Sequence, residues 1–217
     1  DRLLAKAVGR LAALFERASL PVERPEVLRA ALSALRKYHS FLERSPPLLA
    51  AVSRIVSDRI QDLSAAGGVR HPHDLLETIR LAGALRVGQA LGFLEAVLRE
   101  NKPSLEEDLE LLTTAVNALG RLLESGASGE TAALLVSQFR RPHVGPEKAV
   151  RELRRACVSA LSSGSPSAEV QADLRGFFKE VLLGAADANA QGPPRGEKEL
   201  RIPAILGLGT LARQKDT

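Results

Sequence analysis

Lys148, Arg151 and Arg155 recur at i, i+3 and i+7, a spacing that gathers three cations on one face of a helix. Val150, Leu153, Cys157 and Leu161 supply an apolar stripe on the opposing face. Between residues 140 and 155, six cations (Arg140, Arg141, Lys148, Arg151, Arg154 and Arg155) stand against Glu147 and Glu152. That surplus equals the formal net charge of the whole 217-residue chain, +4, so elsewhere the charges cancel. Such a face neutralises phosphates on an anionic polymer, or it is a solvated face beside an acidic protein neighbour. Arginine supplies 23 of the 30 Lys and Arg residues. Its planar fork suits phosphate, although GC-rich coding would produce the same bias.

His143 stands in the preceding turn and could extend the patch. Arg29, Arg36, Lys37, His39 and Arg44 could form a second basic edge, weakened by Glu26 and Glu43 nearby. Reading bases by stacking needs aromatic rings at the surface. Phe15, Phe41, Phe93, Phe139, Phe177 and Phe178 mostly fall on apolar faces, which assigns them to core packing and disfavours sequence-specific recognition of single strands.

Other chemistry finds little support. His71 and His73 flank Pro72 and could offer two metal ligands, but nothing nearby completes a set, and a structural turn is the simpler reading. Cys157 reads as a small core residue or, beside Arg154 and Arg155, as a reactive thiolate. Gly207-Leu-Gly209 lacks the preceding strand and third glycine of a dinucleotide loop, and reads as helix-breaking punctuation. No nucleophile elbow, phosphate loop, zinc cluster or calcium loop occurs in the sequence. The expectation is a chain without catalytic residues, metal, cofactor or small-molecule substrate.

The elements that must position the basic face are helices. The 45% hydrophobic fraction is built from Leu, Ala and Val, with one Tyr, six Phe and no Trp, so strand-favouring residues are scarce. Helical spacing predicts helices over 2–17, 25–43, 46–63, 73–86, 88–100, 104–124, 129–140, 146–162, 167–187 and 197–213. Breaks fall at Pro21–Arg24, Ser64–His73, Glu124–Glu130, Arg141–Pro146, Ser162–Ser167 and Asn189–Gly196, where Gly, Pro and Ser gather. Ser104 with Glu107 and Asp74 with Glu77 have capping-box spacing, and Pro25, Pro47 and Pro146 suit first-turn positions. The fold expected is all-α, an α-solenoid-like array of about ten antiparallel helices. It forms a single domain over residues 1–217, with a looser C-terminal part over 188–217.

Cys157 stands alone, which excludes a disulfide framework and makes a reducing compartment the default. No stretch approaches the roughly 18 uncharged apolar residues of a membrane span. The absence of Met implies that the chain begins downstream of its translation start. Arg2, Lys6, Arg10 and Arg17 opposite Leu3, Leu4, Val8, Leu11 and Phe15 have the look of a transit peptide, or of a first repeat helix given Asp1 and Glu16.

Three segments align with one another: PEVLRAALSAL from Pro25, DLLETIRLAGAL from Asp74 and DLELLTTAVNAL from Asp108, with echoes at 147–161 and 199–211. An acidic or proline start, a Leu/Ala helix, a loop and a second helix such as Leu48–Ile55 resemble degenerate organellar helical repeats of the octotricopeptide and heptatricopeptide type. The helical region of FAST-kinase-like and RAP-domain proteins is similar. The likeness covers residues 25–140 best, and the chain lacks the aromatic positions that many such repeats carry. What the resemblance implies is organellar RNA work. The expected function is therefore a non-enzymatic subunit of a ribonucleoprotein, a mitochondrial ribosome in the matrix, contacting rRNA phosphate and neighbouring proteins. The alternative is a protein–protein scaffold or accessory subunit of another large organellar complex.

Overall fold

A computed structural model describes residues 6, 9–10, 25–65, 72–100, 106–124, 128–164, 166, 168–183 and 198–213. Among them the chain is all-helical and no β-strand forms. The helices are α1 (Pro25–Lys37), α2 (His39–Leu42), α3 (Pro46–Ala65), α4 (Pro72–Ala84), α5 (Leu91–Glu100), α6 (Glu106–Leu123), α7 (Gly129–Arg140), α8 (Glu147–Ser163), α9 (Ala168–Leu183) and α10 (Lys198–Arg213). A 3-10 turn over Gly88–Ala90 leads into α5. Of the expected helix over 2–17, only Lys6, Gly9 and Arg10 are described, all helical. The start at Ser104, the break at Pro21–Arg24 and all of 188–197 lie outside the described residues.

Contacts divide the chain into two compact units, residues 1–93 and 94–217. In the first unit, α4 packs against α1 and α3. Its residues Leu75, Leu76, Ile79, Leu81 and Ala82 are buried, and so are Leu32 and Leu35 of α1 and Val52, Val56 and Ile60 of α3, the last three at the i, i+4, i+8 repeat of one helical face. The single helix expected over 25–43 is interrupted at Tyr38, whose N–H is shared between the carbonyls of Ala34 (3.1 Å) and Leu35 (3.2 Å). The helix α4 starts at Pro72, two residues before Asp74 of the expected capping box, whose side chain lies outside the described ones, and α3 starts at Pro46, with Pro47 in its first turn as expected. Glu77 instead accepts from Arg80 Nη1 (2.6 Å) and lies 3.4 Å from Arg36 Nε. At the C-terminal end of α4, Arg86 takes the left-handed conformation (φ 52°). The N–H groups of Val87 and Arg86 then return to the carbonyls of Ala82 and Gly83, closing a Schellman cap.

In the second unit α8 is the central helix, packed against α6, α7 and α10, while α9 packs against α10 and α7. The two helices α6 and α8 pack together, and Leu112, Val116 and Leu119 of the first and Leu153, Cys157 and Leu161 of the second are all buried. At the α6–α8 crossing, a Cβ built on Gly120 would lie 2.9 Å from Ala160 Cβ and 3.0 Å from its Cα, so the two backbones approach as closely as glycine allows. Phe139, Phe177 and Phe178 are buried, with Phe139 and Phe177 edge to face at 5.1 Å. Gly207 and Gly209 lie inside α10 and break nothing: Gly207 seats the Phe178 ring, which needs a residue without a side chain at that point. Residues 198–213 are thus ordered helix, anchored by Leu200, Ala204 and Leu211, with Arg175 Nη2 donating to the Leu211 carbonyl (3.0 Å).

Candidate nucleic-acid interface

The basic segment begins where α7 ends. Arg141 leaves the helix in extended backbone, and Pro142 to Pro146 turn the chain into α8. Gly145 takes a positive φ of 153°, and a Cβ there would fall 2.5 Å from Leu109 Cδ1, so this turn both needs glycine and is pinned to α6. Pro146 precedes the first turn of α8, and Glu147 places an acid at its N-terminal end.

On α8 the sequence reading of the two faces holds geometrically. Lys148, Arg151 and Arg155 are exposed, while Leu153, Cys157 and Leu161 are buried and Val150 is half-buried. The other members of the expected set do not join them. Arg140 Nη2 donates to Glu180 Oε2 of α9 at 2.6 Å, and Arg141 and Arg154 are half-buried beside His143. His143 donates from Nε2 to the Gln138 carbonyl (2.7 Å). Burial first, and then the neighbouring charges of Arg141 and Arg154, push its pKa below the ordinary 6.5 against that hydrogen bond. It therefore carries less positive charge near neutral pH than a free imidazole. Even on the exposed face, Lys148 lies 4.0 Å from Glu152 and Arg151 3.9 Å from Glu147, both i,i+4 pairs on open helix surface. Arg155 is the exposed cation of the face that extends beyond these two pairs.

Of the second basic edge, Lys37 and Arg44 are exposed and His39 is half-buried. Arg36 turns to Glu77, and the Arg29 side chain lies outside what is described. His71 also lies outside the described residues, and among those described no group of three or more metal-ligating side chains forms. Cys157 is fully buried, and burial pushes its thiol up to about 12, which overturns the reactive-thiolate reading despite the two arginines beside it in sequence. At pH 8 its thiolate fraction is lower than that of a free cysteine by roughly a thousandfold. A disulfide reagent should accordingly leave the folded chain almost unlabelled and titrate one thiol per chain in denaturant. Rapid labelling of the native protein would show that the α8 core opens far more readily than its packing implies.

Sequence reasoning missed a polar cluster that ties α5 to α7. Ser128 caps α7 by accepting from the Thr131 N–H (3.1 Å), and Thr131 Oγ1 donates to Glu95. Arg99 Nη2 donates to Glu130 (2.7 Å) and to Glu95 (3.3 Å), while the buried Gln138 donates to the Leu98 carbonyl (2.6 Å). Beside it, an open groove of about 1360 Å³ runs between α7 and α9, with Ala133, Ser137, Ala172 and Gly176 on its walls. Arg99, Arg140 and Arg141 on its margin are balanced by Glu169, Asp173 and Glu180, so the groove carries no net charge to attract phosphate. No helix among the described residues is long and apolar enough to cross a membrane. The chain matches no protein-family model, no curated protein and no solved structure.

Proposed function

We propose that the chain is a non-enzymatic helical-repeat subunit of a ribonucleoprotein, of the organellar ribosome class, and that it rests on RNA phosphate through α8. The observation that carries this reading is the exposure of Lys148, Arg151 and Arg155 along one face of a helix whose other face is locked in the core. A rigid row of cations is suited to neutralising phosphates and says nothing about base identity. The repeat reading draws support from the second unit, where α6, α8 and α10 lie side by side and α7 packs against α9, as the two layers of a helical-hairpin stack would.

The pairing of Lys148 with Glu152, of Arg151 with Glu147 and of Arg140 with Glu180 favours a second reading, a protein scaffold. A face whose charges are already matched, next to a neutral groove walled by small residues, is suited to a protein surface of mixed charge.

Substituting Arg151→Glu and Arg155→Glu together separates the two. On the RNA reading, affinity for unrelated RNA sequences falls to a similar degree for each, and the slope of log affinity against log salt flattens by about 2, roughly one per lost phosphate contact. Thermal stability should move by less than about 0.5 kcal/mol because both side chains are exposed. Unaltered RNA retention, or loss for one sequence only, would remove phosphate contact from this face. Loss of a co-purifying protein with RNA retention untouched would establish the scaffold.

A further inference from the structure

We propose that the outer face of α10 pairs with the same face of a second copy of this chain, antiparallel, about a two-fold axis at Leu206. The inner face of α10 is taken up by the core through Leu200, Ala204, Gly207 and Leu211. Its outer face is apolar and open to solvent: Ile202, Ile205 and Leu206 are 68%, 58% and 57% exposed. Large aliphatic residues left at this exposure on a folded helix mark an association surface when they are contiguous, and these sit at i, i+3 and i+4.

The occupant follows from the order of residues along the stripe. Glu199, Ile202, Leu206, Gly209 and Arg213 are spaced 3, 4, 3 and 4 apart, the seam of a two-helix coiled coil. Laid antiparallel with Leu206 on the axis, each residue meets one equally distant on the other side. Leu206 then faces itself, flanked on each side by Ile202 and Ile205 of the two copies. Glu199 faces Arg213 of the second copy at both ends of the seam, about 21 Å apart at 1.5 Å per residue. Both charges are exposed, and each also suits the end of the helix dipole that it occupies. A parallel pair would set Glu199 on Glu199 and Arg213 on Arg213, so the charges select the antiparallel arrangement. A patch that complements itself in this way is the mark of an isologous contact between identical chains.

One helix pair is small for a protein interface, so the association is reversible and concentration-dependent. Sedimentation velocity on the 217-residue chain, taken up to about 1 mM, should show a monomer–dimer equilibrium. Leu206→Glu should weaken it at least tenfold with helix content unchanged by circular dichroism. Glu199→Arg alone and Arg213→Glu alone should each weaken it by placing like charges at both ends. Mixing those two variants should restore association in a hetero-pair, because opposite charges then meet at both ends. A chain that stays monomeric throughout overturns the proposal. So does a dimer indifferent to Leu206→Glu, or a mixture that associates no better than its components.

Discussion

Substituting Gly120→Val is expected to destabilise the second unit by about 2–3 kcal/mol, and to lower its melting temperature by roughly 4–12 °C. Two effects oppose each other at this position. Replacing glycine inside a helix gains up to about 1 kcal/mol in backbone propensity, most of it already available to alanine. Against that stands the α6–α8 crossing, where even a single Cβ would lie 2.9 Å from Ala160 Cβ and 3.0 Å from its Cα. The second of these atoms is helix backbone in the last turn of α8, which cannot rotate aside as a side chain would, so the helices must separate. Separation loosens Leu119 and Leu161, both buried near the crossing. Thermal melts followed by circular dichroism test the expectation. A Gly120→Val chain as stable as the parent would show that the crossing is not held at this spacing in solution.

The Phe178 site should give the largest loss of all, about 3–5 kcal/mol for Phe178→Ala, as expected when a fully buried ring is deleted from a packed cluster. The ring is fixed from two directions. Phe177 lies 5.5 Å away at a tilt, itself edge-on to Phe139, and Gly207 of α10 presents bare backbone to the ring edge. A Cβ on Gly207 would come within 2.5–2.8 Å of Cε2 and Cε1, so Gly207→Ala should cost about 1–2 kcal/mol despite the better helix former. Combined, the two substitutions should cost less than their sum, because the methyl enters the space that the ring vacates, with a coupling of about 0.5–3 kcal/mol. Chemical denaturation of the parent, both single variants and the double measures that coupling directly. Strict additivity would mean that Gly207 and the Phe178 ring do not touch.

The helices were legible in the sequence because their signal is local: apolar residues recur at the helical period, and proline marks several starts. The same locality explains what was missed. Nothing around Asp74 reveals that Glu77 is claimed by Arg36 from another helix, and so the capping box was read where an ion pair stands. Gly207 and Gly209 read as a break because glycine disfavours helix by propensity, but Phe178, 29 residues earlier, needs the bare backbone. The basic face divides along the same line. Lys148, Arg151 and Arg155 were placed correctly by their spacing on one helix, whereas the pairing of Arg140 with Glu180 spans 40 residues and left no trace in the local pattern. Summing charge over 140–155 gave a patch of six, and the fold presents three of them on one open face of α8.

The central position of α8 also bears on how the chain can be made. α6 and α7 precede α8 along the chain, so two of its three neighbours are present when it leaves the ribosome, but the third, α10, is complete only at Arg213. At about 5–20 residues per second, the 50 residues that follow Ser163 take roughly 2–10 s to synthesise. Through that interval the side of α8 that α10 will cover is open on a nascent chain, next to neighbouring polysomal products. Of the helices that surround α8, α10 is thus the one made after it and the one that closes its open side, and co-translational holding by a chaperone matters most over the stretch from α8 to α10.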